Sequence, residues 1–345
     1  MAAVTTIGLD VGSTSIRAVE ATRTKDRPSI TNFGYALLPV GAVVGGVVKD
    51  DRAVTAALRH LWTTQDFASK SVTLGVSHQQ VIVREIEVSN LPAKDMKQSL
   101  PFQVRDVLPL PVEEALLDFY PLENPGKAEM VRGLLIAAPK EAVINTVHAV
   151  ERAGLQVAHV DLACFAALRA SAHLAEDVEA VVDIGSSGTN IVIHLDGVPQ
   201  MVRTVPRGGS EITAMIASRL GLSTADAEAL KCRIGLGQDP DATDSNEGAE
   251  VVAEALRPLV NEIRSSFNYF ASSHPEQRVK RLALVGGAAL LPGLTDRLTD
   301  QLGLPVFLSD PLQRISDGRR GGRHDTLGRF RSAAAVSIGL TLGAA

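Results

Sequence analysis

Only two cysteines, Cys164 and Cys232, occur in 345 residues, and their spacing matches no metal motif. A disulfide scaffold and a structural zinc site are thereby excluded, and a reducing compartment fits best. Aromatic residues are scarce, at 4%, which removes the stacking platforms used to hold single-stranded nucleic acid. Positive charge is not in excess. Lys+Arg number 34 against Asp+Glu 39, a net charge of −5, so nucleic acid is not an expected partner. Long apolar runs are missing as well. Ala36–Val48, Leu282–Leu294 and Ala333–Ala345 each fall short of the ~20 residues needed to cross a bilayer, and each is interrupted by Gly or Pro. Met1–Thr6 carries no basic region of the secretion type. These absences predict a cytoplasmic protein without direct membrane insertion. What is present is a chain with 45% apolar and 21% charged residues, enough to bury a sizeable core. A prior of ~150 residues per domain suggests about two domains.

The most informative feature is an internal echo. Ile7-Gly-Leu-Asp10-Val-Gly12-Ser13-Thr14-Ser15-Ile-Arg17 is answered half a chain later by Val181-Val-Asp183-Ile-Gly185-Ser186-Ser187-Gly188-Thr189-Asn. Self-similarity at that spacing predicts a duplicated domain. Each copy reads strand, turn, strand, and the second outgoing strand leads into Asp196-Gly197, a hairpin signal. A Rossmann or Walker loop opens a helix after its glycines; these turns open strands. Such a tip has direct chemistry. Successive backbone N–H groups form an anion nest, and Ser/Thr hydroxyls add donors. A carboxylate just before the turn holds the hydrated Mg²⁺ that accompanies a nucleotide. Two tips facing each other clamp a polyphosphate from both sides, with Arg17 adding positive charge. One D-x-G-S alone is usually an ordinary turn; the duplication is what gives it weight. A third glycine site follows the buried-strand run Arg281–Val285, where Gly286-Gly287-Ala288 brings backbone close to a flat ligand.

With these residues quoted, the chain resembles the actin-like ATPases. Asp10-x-Gly-Ser-Thr is similar to the first phosphate motif, Asp183-Ile-Gly-Ser-Ser-Gly-Thr to the second, and Leu284-Val-Gly-Gly-Ala to the adenosine motif. Gly154-Leu155 with Val160-Asp161-Leu-Ala163, and Ser332 through Gly339, resemble the two connecting segments. Within the superfamily the resemblance is to the branch of PilM, the type IV pilus assembly family, and of the cell-division protein FtsA. Val81–Val88 reads as a strand, Leu91 to about Val107 as a helix interrupted at Pro101, and Ala115–Leu122 and Met130–Ala137 as two strands. That order matches the 1C insertion of this branch.

The resemblance implies an actin-like (ribonuclease H-like) α/β fold of duplicated domains around a nucleotide cleft. Residues 1–80 and 141–180 would form subdomain 1A, 81–140 the insertion 1C, 181–214 and 282–345 subdomain 2A, and 215–281 subdomain 2B. It implies ATP and Mg²⁺ as cofactors, with Asp10 and Asp183 organising the metal through water. Gly12, Ser13, Thr14 and Arg17, with Gly185, Ser186, Ser187, Gly188 and Thr189, would meet the phosphates. Gly209, Glu228 and Lys231 would face the nucleoside, and Gly286, Gly287 and Ala288 would back the base. Asp161 stands where relatives carry a residue that orients the attacking water, and would act with Asp10 and Asp183 in any slow ATPase reaction. The implied partner is the cytoplasmic N-terminal tail of PilN, gripped at the insertion, with other pilus platform or motor proteins beyond it. Localisation would be peripheral to the inner face of the membrane through partners.

Two other readings remain open. An FtsA-like division protein is expected to end in an amphipathic membrane helix, and Ser337–Ala345 has no basic polar face of that type. A sugar or acetate kinase needs an acceptor pocket with a general base, and no distinct acceptor motif stands out. Bland roles are expected elsewhere. Glu228 and Lys231 also suit a surface i,i+3 pair, and Asp161 also suits a helix cap. His78, His148, His159 and His194 lack ligand spacing, and Trp62 is expected to pack beside a helix. The acidic stretch 239–250 reads as a solvated loop. The arginines 314, 319, 320, 323, 329 and 331 read as a loop or an anion-facing patch.

Overall fold

The computed structural model describes residues 4–23, 27–124, 126, 128–237, 243–319 and 324–343. Strands β1 (Val4–Val11), β2 (Ser15–Arg23) and β3 (Ser29–Leu37) form an antiparallel meander. Their Thr, Ile, Val, Phe and Tyr content favours a pleated, half-buried surface. A short ribbon of β4 (Val43–Val44) and β5 (Val47–Val48) leads into α1 (Asp51–Thr64). The carboxylate of Asp50 caps α1 by accepting from the Ala53 N–H, which satisfies one of the helix's orphan donors. Trp62 lies on α1, donates to the Ser69 carbonyl and packs on Phe67. The chain re-enters the sheet as β6 (Ser71–Val76), parallel to β1.

It then leaves the sheet for a separate unit. β7 (Ile82–Ser89), α2 (Ala93–Gln103), β8 (Ala115–Pro121) and β9 (Met130–Pro139) give strand–helix–strand–strand, and the three strands form their own sheet in the order β7-β9-β8. Pro101 sits inside α2 rather than ending it. Its missing N–H costs one hydrogen bond, and the helix stops two residues later, short of the expected Val107. The return path is α3 (Lys140–Arg152), β10 (Gln156–Leu162), parallel to β6, and α4 (Ala163–Ser171).

The second half repeats the plan. β11 (Val178–Ile184), β12 (Thr189–Leu195) and β13 (Val198–Val205) form a meander. Asp196 and Gly197 make the β12–β13 turn with φ of 49° and 80°, the left-handed pair a two-residue hairpin requires. Helices α5 (Gly209–Leu220), α6 (Thr224–Ile234) and α7 (Thr243–Ser273) follow. β14 (Arg281–Val285), α8 (Leu294–Leu302) and β15 (Val306–Leu308) add two parallel strands. β16 (Ser316–Asp317) crosses back to pair with β3, and α9 (His324–Phe330) and α10 (Ala335–Gly343) close the described chain.

The sheet orders are β10-β6-β1-β2-β3-β16 and β13-β12-β11-β14-β15. Each is a meander whose first strand is flanked by two parallel strands, so the echo in the sequence is an echo in topology. This is the duplicated α/β architecture that the resemblance implied. Helices α4 and α10 lie between the halves, in an apolar cluster that joins Ala166 and Leu168 to Val181, Val192, Val336 and Leu340. They cross closely: a Cβ on Gly339 would stand 1.7 Å from the Ala166 carbonyl oxygen. Close packing of this kind transmits movement between elements rather than absorbing it.

Two surface expectations change. Residues 238–242 of the acidic stretch lie outside the described residues, but from Thr243 onward it is the first part of α7, not a loop. Gly248, Ala249, Val251 and Val252 are buried there, so packing overrides the turn-rich composition. Arg320 and Arg323 also lie outside the described residues. Arg319 pairs with Asp317, Arg331 with Asp310, and Arg314 donates to the Ala172 carbonyl. Local pairing thus takes up much of that positive charge.

Candidate functional site

Both hairpin tips have the same local construction. In the first, Asp10 stands opposite Arg17 and Val11 opposite Ile16, and Gly12 N–H donates to the Ser15 carbonyl at 3.0 Å. In the second, Asp183 stands opposite Asn190 and Ile184 opposite Thr189, and Gly185 N–H donates to the Gly188 carbonyl at 2.9 Å. The tips meet across the cleft, where the Ser13 and Ser187 hydroxyl oxygens are 2.6 Å apart. Residues half a chain apart in sequence are thus brought to hydrogen-bonding distance.

The carboxylates behind the tips are electrostatically costly. Burial pushes the Asp10 pKa up, and the charge and hydrogen bond of Arg17, at 3.1 Å, offset only part of that rise. Burial and then the nearby Asp10 charge push Asp183 up to about 6, against the lowering influence of Arg17 and of a hydrogen bond from Asn190. Two desolvated carboxylates near each other favour an additional cation. The Arg17 Nε and the Ser15 Oγ are both buried without a partner, so the first tip has unmet polar groups.

A third loop leans on the second tip. Gly286 has φ of +95°, and a Cβ there would sit 2.5 Å from the Asp183 Oδ1 and 2.4 Å from the Ile184 carbonyl oxygen. Only glycine fits the conformation and the approach. The N-terminus of α5 docks on the same tip: Gly209 N–H donates to the Gly185 carbonyl, and Ser210 donates to the Ser186 carbonyl through its N–H and its hydroxyl. Ala288 closes against Gly209.

Several sequence assignments need correction here. Thr189 is fully buried, and its hydroxyl donates to the Arg207 carbonyl at 2.8 Å, so it braces the hairpin and does not face a phosphate. Gly209 uses its N–H on Gly185. Lys231 is buried, and its ammonium donates to the Gly209 carbonyl, the Thr213 hydroxyl and the Glu228 carboxylate at 3.1, 2.9 and 2.7 Å. An ammonium has three N–H donors, so none is left for a ligand; Lys231 orients Glu228 instead. Glu228 is half exposed on α6. Partial burial pushes its pKa up, but the hydrogen bonds from Lys231 and Thr213 and the Lys231 charge outweigh that and hold it below the usual range. It is therefore held as an ionised, half-exposed acceptor.

Asp161 also differs from expectation. It shares Gly75 as a register partner with Asp10, so it lies at the same level of the sheet, about 10 Å away across two strand spacings. Its oxygens are taken by the Leu162 N–H and by Arg169, which also donates to the Gly339 carbonyl. Leu162 rather than Asp161 occupies the cap position of α4. Asp161 thus stands outside the Asp10–Arg17–Asp183 cluster. Sequence reasoning missed Asn190 and Ser77, which are bonded across the gap between the halves; a lone amide and a lone hydroxyl carry no motif. It also missed the orphaned Ser15 hydroxyl.

Among the described residues no group of three or more His, Cys, Asp or Glu is placed to hold a metal. Two acidic side chains remain, Asp10 and Asp183. That donor set suits Mg²⁺, which keeps several waters and takes one or two carboxylates plus substrate phosphates. Also among the described residues, no helix is long and apolar enough to cross a membrane.

Comparison with known proteins places this geometry. The family model of type IV pilus assembly protein PilM matches residues 8–345. A solved PilM-PilN type IV pilus biogenesis complex superposes with a TM-score of 0.86 and 26% identity, covering 98% of this chain and 97% of that one. Cell division protein FtsA of Bacillus subtilis is 23% identical over 88% of this chain and 78% of its own length. MreB 5 of Spiroplasma citri bound to AMPPNP, at a TM-score of 0.57 and 14% identity, shares the fold alone. The chain belongs to the type IV pilus assembly protein PilM family and has its actin-like fold.

Proposed function

We propose that this chain is an actin-like, ATP-binding scaffold of a type IV pilus assembly platform, which grips the N-terminal tail of a PilN partner at its insertion. The observation that carries the nucleotide half is the meeting of Ser13 and Ser187 above Asp10 and Asp183. Their hydroxyls and the turn N–H groups other than those of Gly12 and Gly185 hold the phosphates, and Arg17 adds charge at the first tip. Glu228 accepts from the ribose, and Gly286 and Gly287 let backbone approach the base. Asp10 and Asp183 would hold Mg²⁺ through water, which would supply charge neutralisation to the phosphates. Asp161 is tied to Arg169, and among the described residues no group of three or more His, Cys, Asp or Glu gathers at the cluster, which supports slow turnover. In this reading residues 1–80 with 141–180, then 81–140, 181–214 with 282–345, and 215–281 act as the four subdomains.

For the partner half, the similar solved structure is a PilM-PilN complex, and its match spans the insertion. A groove of about 420 Å³ supports the reading. It runs between β8 and β10 and is lined by Asp118, Phe119, Tyr120, His159, Val160 and Phe165, among others. β8 is an edge strand of the insertion sheet and β10 an edge of the first large sheet. Two free edges suit an extended peptide that adds backbone hydrogen bonds and seats alternate side chains. Without a spanning helix among its described residues, the chain would sit on the cytoplasmic face of the membrane through that partner. Calorimetry with the N-terminal PilN peptide tests this. Saturable binding is expected, with a loss of about tenfold or more in Tyr120→Ala, the size typical of a buried aromatic anchor. No binding by the wild-type chain, with or without Mg-ATP, contradicts it.

A further inference from the structure

The two halves are joined by more than their central helices. Asn190, on β12, is buried in the gap between them. Its carbonyl oxygen accepts from the Thr204 hydroxyl at 3.0 Å, which fixes the amide's orientation. The amide stands directly opposite Asp183 in the β11–β12 pair. Its Nδ2 donates a 3.3 Å hydrogen bond to the hydroxyl of Ser77, a residue of the first half.

Ser77 is well placed to pass on movement. It directly follows β6, and the insertion begins at Ile82. Its carbonyl lies under Gly46, where an added Cβ would come within 1.8 Å, so the β4–β5 turn rests on it. Val81, four residues on, packs with Val76, Ala138 and Val143. A shift at Ser77 therefore reaches both the root of the insertion and the loop before α1. Ser77 is itself exposed to solvent, and a hydrogen bond with water at hand costs little to open and remake.

We propose that Asn190 is a positioning residue and relay: it stands directly opposite Asp183 on the neighbouring strand and donates to Ser77 of the other half, so that occupation of the nucleotide cleft is reported to the insertion. This rests on the function proposed above and adds the route by which its two sites communicate. A shift of Asp183 when the cleft fills displaces the amide that faces it, which either drags Ser77 or lets it go. The insertion then has two arrangements, and the nucleotide biases their populations.

The test uses the full chain as wild type, Ser77→Ala, Ser77→Thr and Asn190→Ala. Affinity for the PilN N-terminal peptide is measured with and without Mg-ATP. Amide exchange of residues 77–89 is followed in the nucleotide-free protein. The wild type should show a nucleotide-dependent change in peptide affinity of several-fold, in the usual range of about 5-fold or more for coupled sites. Ser77→Ala should bring that ratio close to one while leaving Mg-ATP affinity within about twofold, because a solvent-exposed bond contributes little on its own. It should also speed exchange at 77–82. Ser77→Thr keeps the hydroxyl and should restore both readouts. Asn190→Ala should lose the ratio and weaken Mg-ATP binding as well, because Asp183 loses the amide that faces it. An undiminished ratio in Ser77→Ala and Asn190→Ala overturns the relay. A wild type that binds both ligands with no change in peptide affinity overturns the relay and leaves the proposed function standing. A wild type that binds neither overturns both.

Discussion

The two hairpin tips share a backbone plan and differ in the residues that face it, above all in the one opposite each aspartate. Opposite Asp10 the first tip places a guanidinium; opposite Asp183 the second places an amide. The first carboxylate is paired directly with the Arg17 guanidinium, whereas Asp183 feels that charge only from a distance and faces an amide; burial and the Asp10 charge push it up to about 6. Their surroundings differ as well. The first tip receives one backbone bond, from Leu38 N–H to the Thr14 carbonyl, whereas the second carries the N-terminus of α5 and the Gly286 loop. Duplication supplied two equal hairpins. The cluster is made asymmetric by what faces each aspartate and what leans on each turn. The first tip is the more open, and the second is wedged and wired to the other half through Asn190.

The largest expected effect breaks the wedge. Gly286→Ala collides with Asp183 and Ile184 at a positive φ and should cost about 3 kcal/mol in chemical denaturation. Gly12→Ala, where a Cβ would lie 3.1 Å from the Ser15 carbonyl oxygen, should cost only about 1 kcal/mol. Equal losses would erase the asymmetry. Next, Arg17→Gln removes the charge of the first tip and should weaken Mg-ATP binding about tenfold, roughly 1.4 kcal/mol, by calorimetry. Smaller still is the pH effect. Asp183 titrates near 6 when folded, above its unfolded value of 3.8, so the folded state binds the extra proton between those values. The nucleotide-free chain should lose stability as pH rises through about 6 and regain it on acidification toward 4. Asp183→Asn should flatten that slope in melting curves and raise the melting temperature at pH 7.5 by a few °C. A slope that persists in Asp183→Asn would assign it elsewhere. The smallest effect is Ser13→Ala, which removes the contact with Ser187 and should change stability by about 1 kcal/mol or less.

What was legible in the sequence was local. The Asp10 and Asp183 echo, the Asp196-Gly197 turn and the alternation at 81–88 are short-range patterns, and each corresponds to a strand or turn. The strand–helix–strand–strand order of the insertion was readable for the same reason. What escaped was decided by tertiary partners. Lys231 finds Gly209 and Thr213 some twenty residues away, and that spends all its donors inside the fold. Asp161 meets Arg169 from the next helix. Thr189 is turned inward by Arg207. The start of α7 has the composition of a loop and is helical because Gly248 and Ala249 are buried. The pairing of Asn190 with Ser77 spans 113 positions and leaves no periodic trace.

In the proposed function, two tips clamp one nucleotide through paired aspartates. Calorimetry of Mg-ATP against the wild type and the Asp10→Ala/Asp183→Ala double variant, each first checked for an intact melting transition, tests it most directly. Saturable binding is expected for the wild type, with a loss of about 100-fold or more in the double variant, near 2.7 kcal/mol. Unchanged affinity in a folded double variant would contradict the clamp.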